Sequence, residues 1–154
     1  MNNLNGYGYG VWLVVKDTNI LSDIKHIPHI TIMCFMEKEE AIKLYIDIMQ
    51  SMGITYEIKL HNICKLLSNS YNEDEQLYAS GFDCYIANWL LFQKICEKYS
   101  GSFSYDSHLS YDYSHNIAGL KYKNYDNDLI LQCELHVVDI THSYPMNWNI
   151  VDII

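Results

Sequence analysis

The sequence predicts one α+β domain made of two lobes packed around a groove. Three observations carry that expectation. At 154 residues the chain has the size of a single domain, for which roughly 100–200 residues are usual. Apolar residues make up 49% of it, enough to bury a real core. Each half combines strand-like segments with one long helical pattern, and a polar, acidic stretch at residues 67–75 (LSNSYNEDE) divides the halves. The helices fall at different places within the halves, so the chain is not a sequence repeat.

Residues 9–16 (YGVWLVVK) are apolar and Val-rich, the composition of a buried strand. A polar connection follows, and Pro28 favours an extended entry into the next strand at residues 29–36 (HITIMCFM). Residues 37–52 read as a helix, with Ile42, Tyr45, Ile46 and Met49 at helical spacing, acidic residues in the first turn and Gly53 as terminator. Partial alternation marks a third strand over residues 54–67. Beyond the loop come a strand at residues 76–85 and a helix at residues 86–99 carrying Trp89, Leu90, Ile95 and Cys96. Lys94 and Lys98 suit its last turn and Gly101 its end. Residues 103–113 (FSYDSHLSYDY) read as a strand, residues 116–128 as irregular, residues 129–144 as the last long strand, and residues 145–154 close the chain.

Charge narrows the function. There are 19 acidic residues against 10 basic ones, for a net charge of −9, and every basic residue is Lys. A protein that tracks a long polyanion needs a basic stripe, often with Arg forks on the phosphates. Long nucleic acid is therefore not an expected partner, whereas a small anionic ligand in a local pocket is compatible. The 14 Tyr and 3 Trp offer flat surfaces for stacking a base, although most aromatic residues simply fill cores. No apolar run reaches the roughly 20 residues that span a bilayer, and the first ten residues lack the basic and apolar regions of a secretory signal. A cytoplasmic protein without membrane attachment is expected.

The 5 cysteines are scattered and odd in number, which suits free thiols in a reducing compartment. His26 with His29, and His61 with Cys64, each offer two potential metal ligands close together. Neither pair is followed by a second at zinc-site spacing, so no metal and no other cofactor is expected.

Two tripeptides of one form fall on predicted strands, His29-Ile30-Thr31 and His108-Leu109-Ser110. On a strand, residues two apart point to the same face, so each histidine shares its face with a hydroxyl while Ile30 or Leu109 turns into the core. Phosphodiester cleavage needs a base for the attacking oxygen and an acid for the leaving oxygen. Two imidazoles titrating near neutrality can fill both posts. Thr31 and Ser110 can donate to the non-bridging phosphate oxygens, where charge accumulates in the transition state. Either tripeptide alone is more often a strand-end or surface histidine than a catalyst. The apolar middle residue, the strand setting and the placement in opposite halves favour the chemical reading. The other five histidines (His26, His61, His115, His136 and His142) lack the pattern and default to structural or surface roles.

HITI at 29–32 and HLSY at 108–111 resemble the paired signatures of the 2H phosphoesterase superfamily, which includes LigT-like RNA ligases and 2′,3′-cyclic phosphodiesterases. The resemblance implies a bilobal fold of two antiparallel sheets around a central groove with flanking helices, both motifs facing the groove. Within that superfamily the chain is most similar to small phage-encoded anti-CBASS nucleases, which destroy cyclic oligonucleotide immune signals. The similarity spans most of the chain and includes the tail THSYPMNWNI at residues 141–150. There it also departs: those nucleases carry an acidic residue where this chain has His142, ahead of Trp148, and Ser110 replaces the commoner Thr. If the acidic residue reads a base edge, His142 alters base preference. Trp148 is a candidate base-stacking residue as well as a candidate core residue. Tyr7, Tyr9 and Trp12 are candidates for the opposite wall, Tyr9 first among them.

The leading expectation is a metal-independent phosphodiesterase that cleaves 3′,5′ linkages of cyclic di- or trinucleotides such as cGAMP, in the host cytoplasm if the chain is viral. His29, Thr31, His108 and Ser110 would be catalytic, and Tyr9, Trp12, His142 and Trp148 would bind substrate. The alternatives are a 2′,3′-cyclic phosphodiesterase acting on RNA ends or 2′,5′-oligoadenylate, a non-catalytic cyclic-nucleotide sponge, and a cysteine–histidine hydrolase.

Overall fold

The structure is a computed structural model describing residues 6–17, 19–67, 77–142 and 145–152. Its class is α+β: an antiparallel sheet and two α-helices. In chain order the elements are β1 (Tyr9–Val15), β2 (His29–Met36), α1 (Lys38–Met52), β3 (Thr55–Leu60), β4 (Lys65–Leu66) and β5 (Tyr78–Ile86). There follow α2 (Trp89–Cys96), β6 (Ser102–Phe103), β7 (His108–Ser114), β8 (Leu129–Asp139) and β9 (Asn149–Ile150). The predicted loop lies, but for Leu67, outside the described residues, as do Gln76 at the start of the fourth predicted strand and Tyr144 at the end of the last. No helix among the described residues is long and apolar enough to cross a membrane.

Two separate sheets were expected; hydrogen bonds instead join all nine described strands into one. The order β1–β2–β7–β5–β3–β8 returns to β1, because β8 pairs with the second edge of β1. The physical reason is legible in β1 itself. Val11 to Val15 are all buried, a pattern for a strand covered on both faces and both edges, and not for a sheet margin. Strands of the two halves also interleave: β3 lies between β5 and β8, and β2 joins β7. The short strands β4, β6 and β9 attach to β5, β2 and β8.

The main core joins Val11, Leu13, Ile30, Ile32, Leu109 and Val137 from the strands to Ala41, Leu44 and Ile48 of α1 and Phe92 and Cys96 of α2. The inward face of α1 is thus turned from the one the spacing suggested: Ile42 and Tyr45 are half-buried, while Ile46 and Met49 are more than a third exposed. Ala41 owes its burial to close helix–sheet approach, which hydrophobicity alone does not rank. In α2 the same holds for Leu90, which is exposed.

Two predicted strands are interrupted. Residues 54–67 divide into β3 and β4 because Asn62 and Cys64 turn to the 124–128 segment, with Asn62 Nδ2 donating to the Tyr125 carbonyl and Cys64 N donating to Asn124 Oδ1. Residues 103–113 divide into β6 and β7. The last strand stops at Asp139, whose carboxylate accepts from both the amide and the hydroxyl of Thr141.

Candidate functional site

The two tripeptides meet. A single β2–β7 pair, Ile30 opposite Leu109, joins the strands that carry them, and both residues are fully buried in the main core. Antiparallel counting from that pair sets His29 opposite Ser110 and Thr31 opposite His108. The four polar side chains therefore form a two-by-two patch on the other face, with the histidines on its diagonal. In a regular ladder such diagonal Cβ atoms lie about 7–8 Å apart. The patch has local twofold character about the Ile30–Leu109 pair.

Each histidine is oriented by the same device. His29 Nδ1 is 2.6 Å from the Ile27 carbonyl oxygen, and His108 Nδ1 is 2.7 Å from the Asp106 carbonyl oxygen. A carbonyl can only accept, so both Nδ1 atoms carry the proton in the neutral ring. That leaves each Nε2 with a lone pair, available to take or return a proton.

Their surroundings differ. His29 is buried, its ring stacked on Trp12 at 3.4 Å between centroids and 7° between planes. Burial holds its pKa well below the usual histidine value, and the neighbouring His26 and His108 push the same way against the Ile27 carbonyl. His29 is neutral at neutral pH. His108 is more open to solvent.

All four residues line one pocket of about 760 Å3, solvent at its mouth included. Trp12, Trp148, Tyr7, Phe103 and Tyr113 form aromatic parts of the wall, and Ser102 and Ser104 add hydroxyl-bearing residues. Among the described lining residues no side chain other than the histidines can carry positive charge, and none is acidic. Cys34 also lines it, but burial pushes its thiol up to about 12, which makes it a poor nucleophile. Among the described residues no group of three His, Cys, Asp or Glu side chains is placed to hold a metal ion.

Of the proposed binding residues, Trp12 and Trp148 reach the pocket, in roles other than a free stacking face. Trp12 has one face against His29, and its buried Nε1 has no partner among the described residues. Trp148 is 8% exposed, stands edge-on to Trp12, Tyr7 and Tyr113, and donates Nε1 to the His142 carbonyl at 2.8 Å. Tyr9 and His142 do not line the pocket. Tyr9 packs against the main core, and the His142 side chain is exposed while its backbone carbonyl holds Trp148.

Tyr7 takes the wall position instead. The backbone at Phe35 holds it there: Phe35 adopts φ +58, donates its amide to the Tyr7 carbonyl at 2.7 Å and packs its ring 5.5 Å from that of Tyr7. A left-handed conformation at a bulky residue costs of order 1–3 kcal/mol and is kept where the surroundings over-determine it. Tyr113 escaped the sequence reading because a register shift between Ser80 and Gly81 displaces the pairing of β7 by one residue. That bulge returns Tyr113 to the face of His108 and Ser110, against the two-residue period. His108, Phe103 and Ser104 also line a second, more open groove of about 1460 Å3, whose wall adds Lys65, Asp83, Tyr105, Asp106 and Ser107. Tyr105 is 70% exposed there, its ring edge-on to Phe103.

No protein-family model matches the chain, and no curated protein or solved structure is significantly similar to it.

Proposed function

We propose that the chain is a metal-independent phosphodiesterase of the 2H type, cleaving 3′,5′ linkages of cyclic di- or trinucleotides. The observation that carries this reading is the matched pair of histidines, each with Nδ1 tied to a carbonyl and Nε2 left available across a patch of two hydroxyls. A surface histidine needs no such orientation.

The roles divide by burial. His29, held neutral, takes the proton of the substrate's 2′-hydroxyl as its oxygen bonds to phosphorus. His108, closer to solvent, gives a proton to the departing 5′-oxygen as the P–O5′ bond breaks. Water then opens the 2′,3′-cyclic product with the roles reversed: His108 takes the water proton and His29 returns one to the 2′-oxygen. Thr31 and Ser110 donate to the non-bridging oxygens in both steps. The charge of the pocket favours a diester. With no lysine among its described lining residues it offers little to a dianionic monoester, while a monoanionic diester needs only hydroxyls and one imidazolium. Two cavities that share His108 in their walls suit a substrate with two nucleosides. Such an activity would remove cyclic nucleotide immune signals, the role of the anti-CBASS nucleases the sequence resembles.

The test is incubation with cyclic dinucleotides, cyclic trinucleotides, 2′,5′-oligoadenylate and 2′,3′-cyclic-ended oligomers in excess EDTA, products read by mass spectrometry. Cyclic substrates should be linearised at 3′,5′ linkages with chelator present. Tight binding without turnover would make the chain a sponge, and turnover of RNA ends alone would make it a 2′,3′-cyclic phosphodiesterase.

A further inference from the structure

A third histidine joins the two motifs. His26 precedes β2, is 7% exposed, and places Nε2 3.0 Å from the carbonyl oxygen of Ser110, on β7. Because a carbonyl only accepts, Nε2 is the protonated nitrogen. β2 and β7 share only the Ile30–Leu109 pair, and the imidazole of His26 satisfies a buried carbonyl where the ladder between them has ended. Its ring stands edge-on to His29, with centroids 6.0 Å apart, and to Tyr113, at 4.9 Å. His26 thus reaches the carbonyl of one motif and the imidazole of the other.

We propose that His26 is a positioning residue for the phosphodiester reaction: it clips Ser110 to the entrance of β2 and keeps water from the inner side of His29, so that the base stays neutral and the patch keeps one geometry. The proposal rests on the phosphodiesterase reading for its effect on turnover, and on the contacts alone for its effect on His29. The groups facing His26 are Asp112 on β7, His29 on β2 and the Tyr113 phenol. Those facing His29 are His26 and, across the patch, His108; its remaining ring neighbours Trp12 and Trp148 carry no charge. Burial holds the His26 ring at about 4, against the hydrogen bond to the Ser110 carbonyl and the charge of Asp112, so His26 is itself uncharged when the enzyme works.

Three variants separate the parts of the device. H26A removes the donor and the plug, H26F keeps the space filled without a donor, and H26Q offers an amide N–H in place of Nε2. In H26A kcat should fall roughly 10- to 100-fold with KM little changed, the size of loss expected when reacting groups shift by about an ångström. Its kcat/KM profile should lose activity at a higher pH than wild type on the acid side, because a hydrated His29 protonates sooner. H26Q should recover most of the rate, and H26F should recover part of the pH limb without the rate. Titration of the His29 ring by NMR gives a readout independent of turnover: its midpoint should rise in H26A, and rise less in H26F, which loses the His26 charge but keeps the ring covered, whatever the substrate proves to be. An unmoved His29 titration in H26A would overturn the proposal, as would H26Q no faster than H26F. Should H26A fail to fold, the H26F and H26Q comparison decides by rate. Absence of phosphodiester turnover in wild type, with the His29 midpoint still shifted in H26A, would refute the enzyme reading and leave the contact standing.

Discussion

At the scale of single residues, the proposed mechanism divides labour between the two histidines through their surroundings and not through their motifs, which are nearly the same. Replacing His29 or His108 with Ala should lower turnover roughly 10²–10⁴-fold each, and the double variant should be little worse, since the two act as one unit. Thr31→Val and Ser110→Ala should each cost less, because each removes a phosphate donor and leaves the proton carriers. Steady-state kinetics on a cyclic dinucleotide checks both statements, and full activity in either histidine variant removes that residue from the mechanism. Burial of two imidazoles also makes the fold sensitive to acid. His26 titrates at about 4 in the folded chain against 6.5 when exposed, and His29 is shifted in the same direction. Below pH 6.5 the unfolded chain takes up protons that the folded chain refuses. Their contribution is therefore complete above that pH and is lost as pH falls towards 4. Thermal midpoints across this range should drop more steeply for wild type than for H26Q. Equal slopes would mean that His26 is not held neutral.

At the scale of elements, the site depends on where β7 lies against its neighbours. Gly81 of β5 faces Ser110, and a Cβ built there would meet the Leu109 carbonyl oxygen at 2.3 Å and the Ser110 Cα at 2.9 Å. Gly81→Ala must push β7 aside, at about 1–3 kcal/mol for overpacking, and should lower turnover beyond what the stability loss explains. Chemical denaturation paired with kcat measures the two effects. Activity unchanged in a folded G81A protein would show that the patch tolerates displacement of its second strand. The tripeptides themselves were legible because a two-residue period forces His and hydroxyl onto one face, and Ile30 and Leu109 did anchor that face. What escaped reading was set by irregularity. Bulges in β1–β2 and β5–β7 move Cys34 and Tyr113 into the pocket, and nothing in the local sequence marks either. The partner of each strand escaped as well, since single-chain periodicity says which face is buried but not which edge is joined. His26 carried a weak signal, a histidine three residues ahead of a motif histidine. Without its partner Ser110 that spacing looked like half of a metal site.

At the scale of the whole molecule, charge and cavity shape together decide what the chain can hold. A chain of net charge −9 whose described pocket-lining residues include no lysine has little means of binding a long phosphate backbone. For the proposed cyclic nucleotide substrate, affinity would then come from bases and sugars, held in the aromatic pocket and in the groove beside His108. Lys65 in that groove is engaged by Asp83 at 2.8 Å, and Asp106 adds a further negative charge, so the groove suits a nucleoside better than another phosphate. Tyr105 is the one strongly exposed ring among its described residues, and stacking on such a ring is worth about 1–3 kcal/mol per base. Tyr105→Ala should therefore weaken a cyclic dinucleotide by one to two decades in KM while sparing a 2′,3′-cyclic mononucleotide, which has no second base to place there. In a competition between equimolar cyclic dinucleotide and a 20-mer RNA, the dinucleotide should disappear first in wild type and lose that lead in Y105A. Raising the salt should change the dinucleotide rate little, because few ions are displaced when affinity rests on stacking. RNA consumed first by the wild type would transfer the activity to RNA ends, and Y105A equally impaired on the mononucleotide would place Tyr105 in general folding and not in recognition of the second nucleoside.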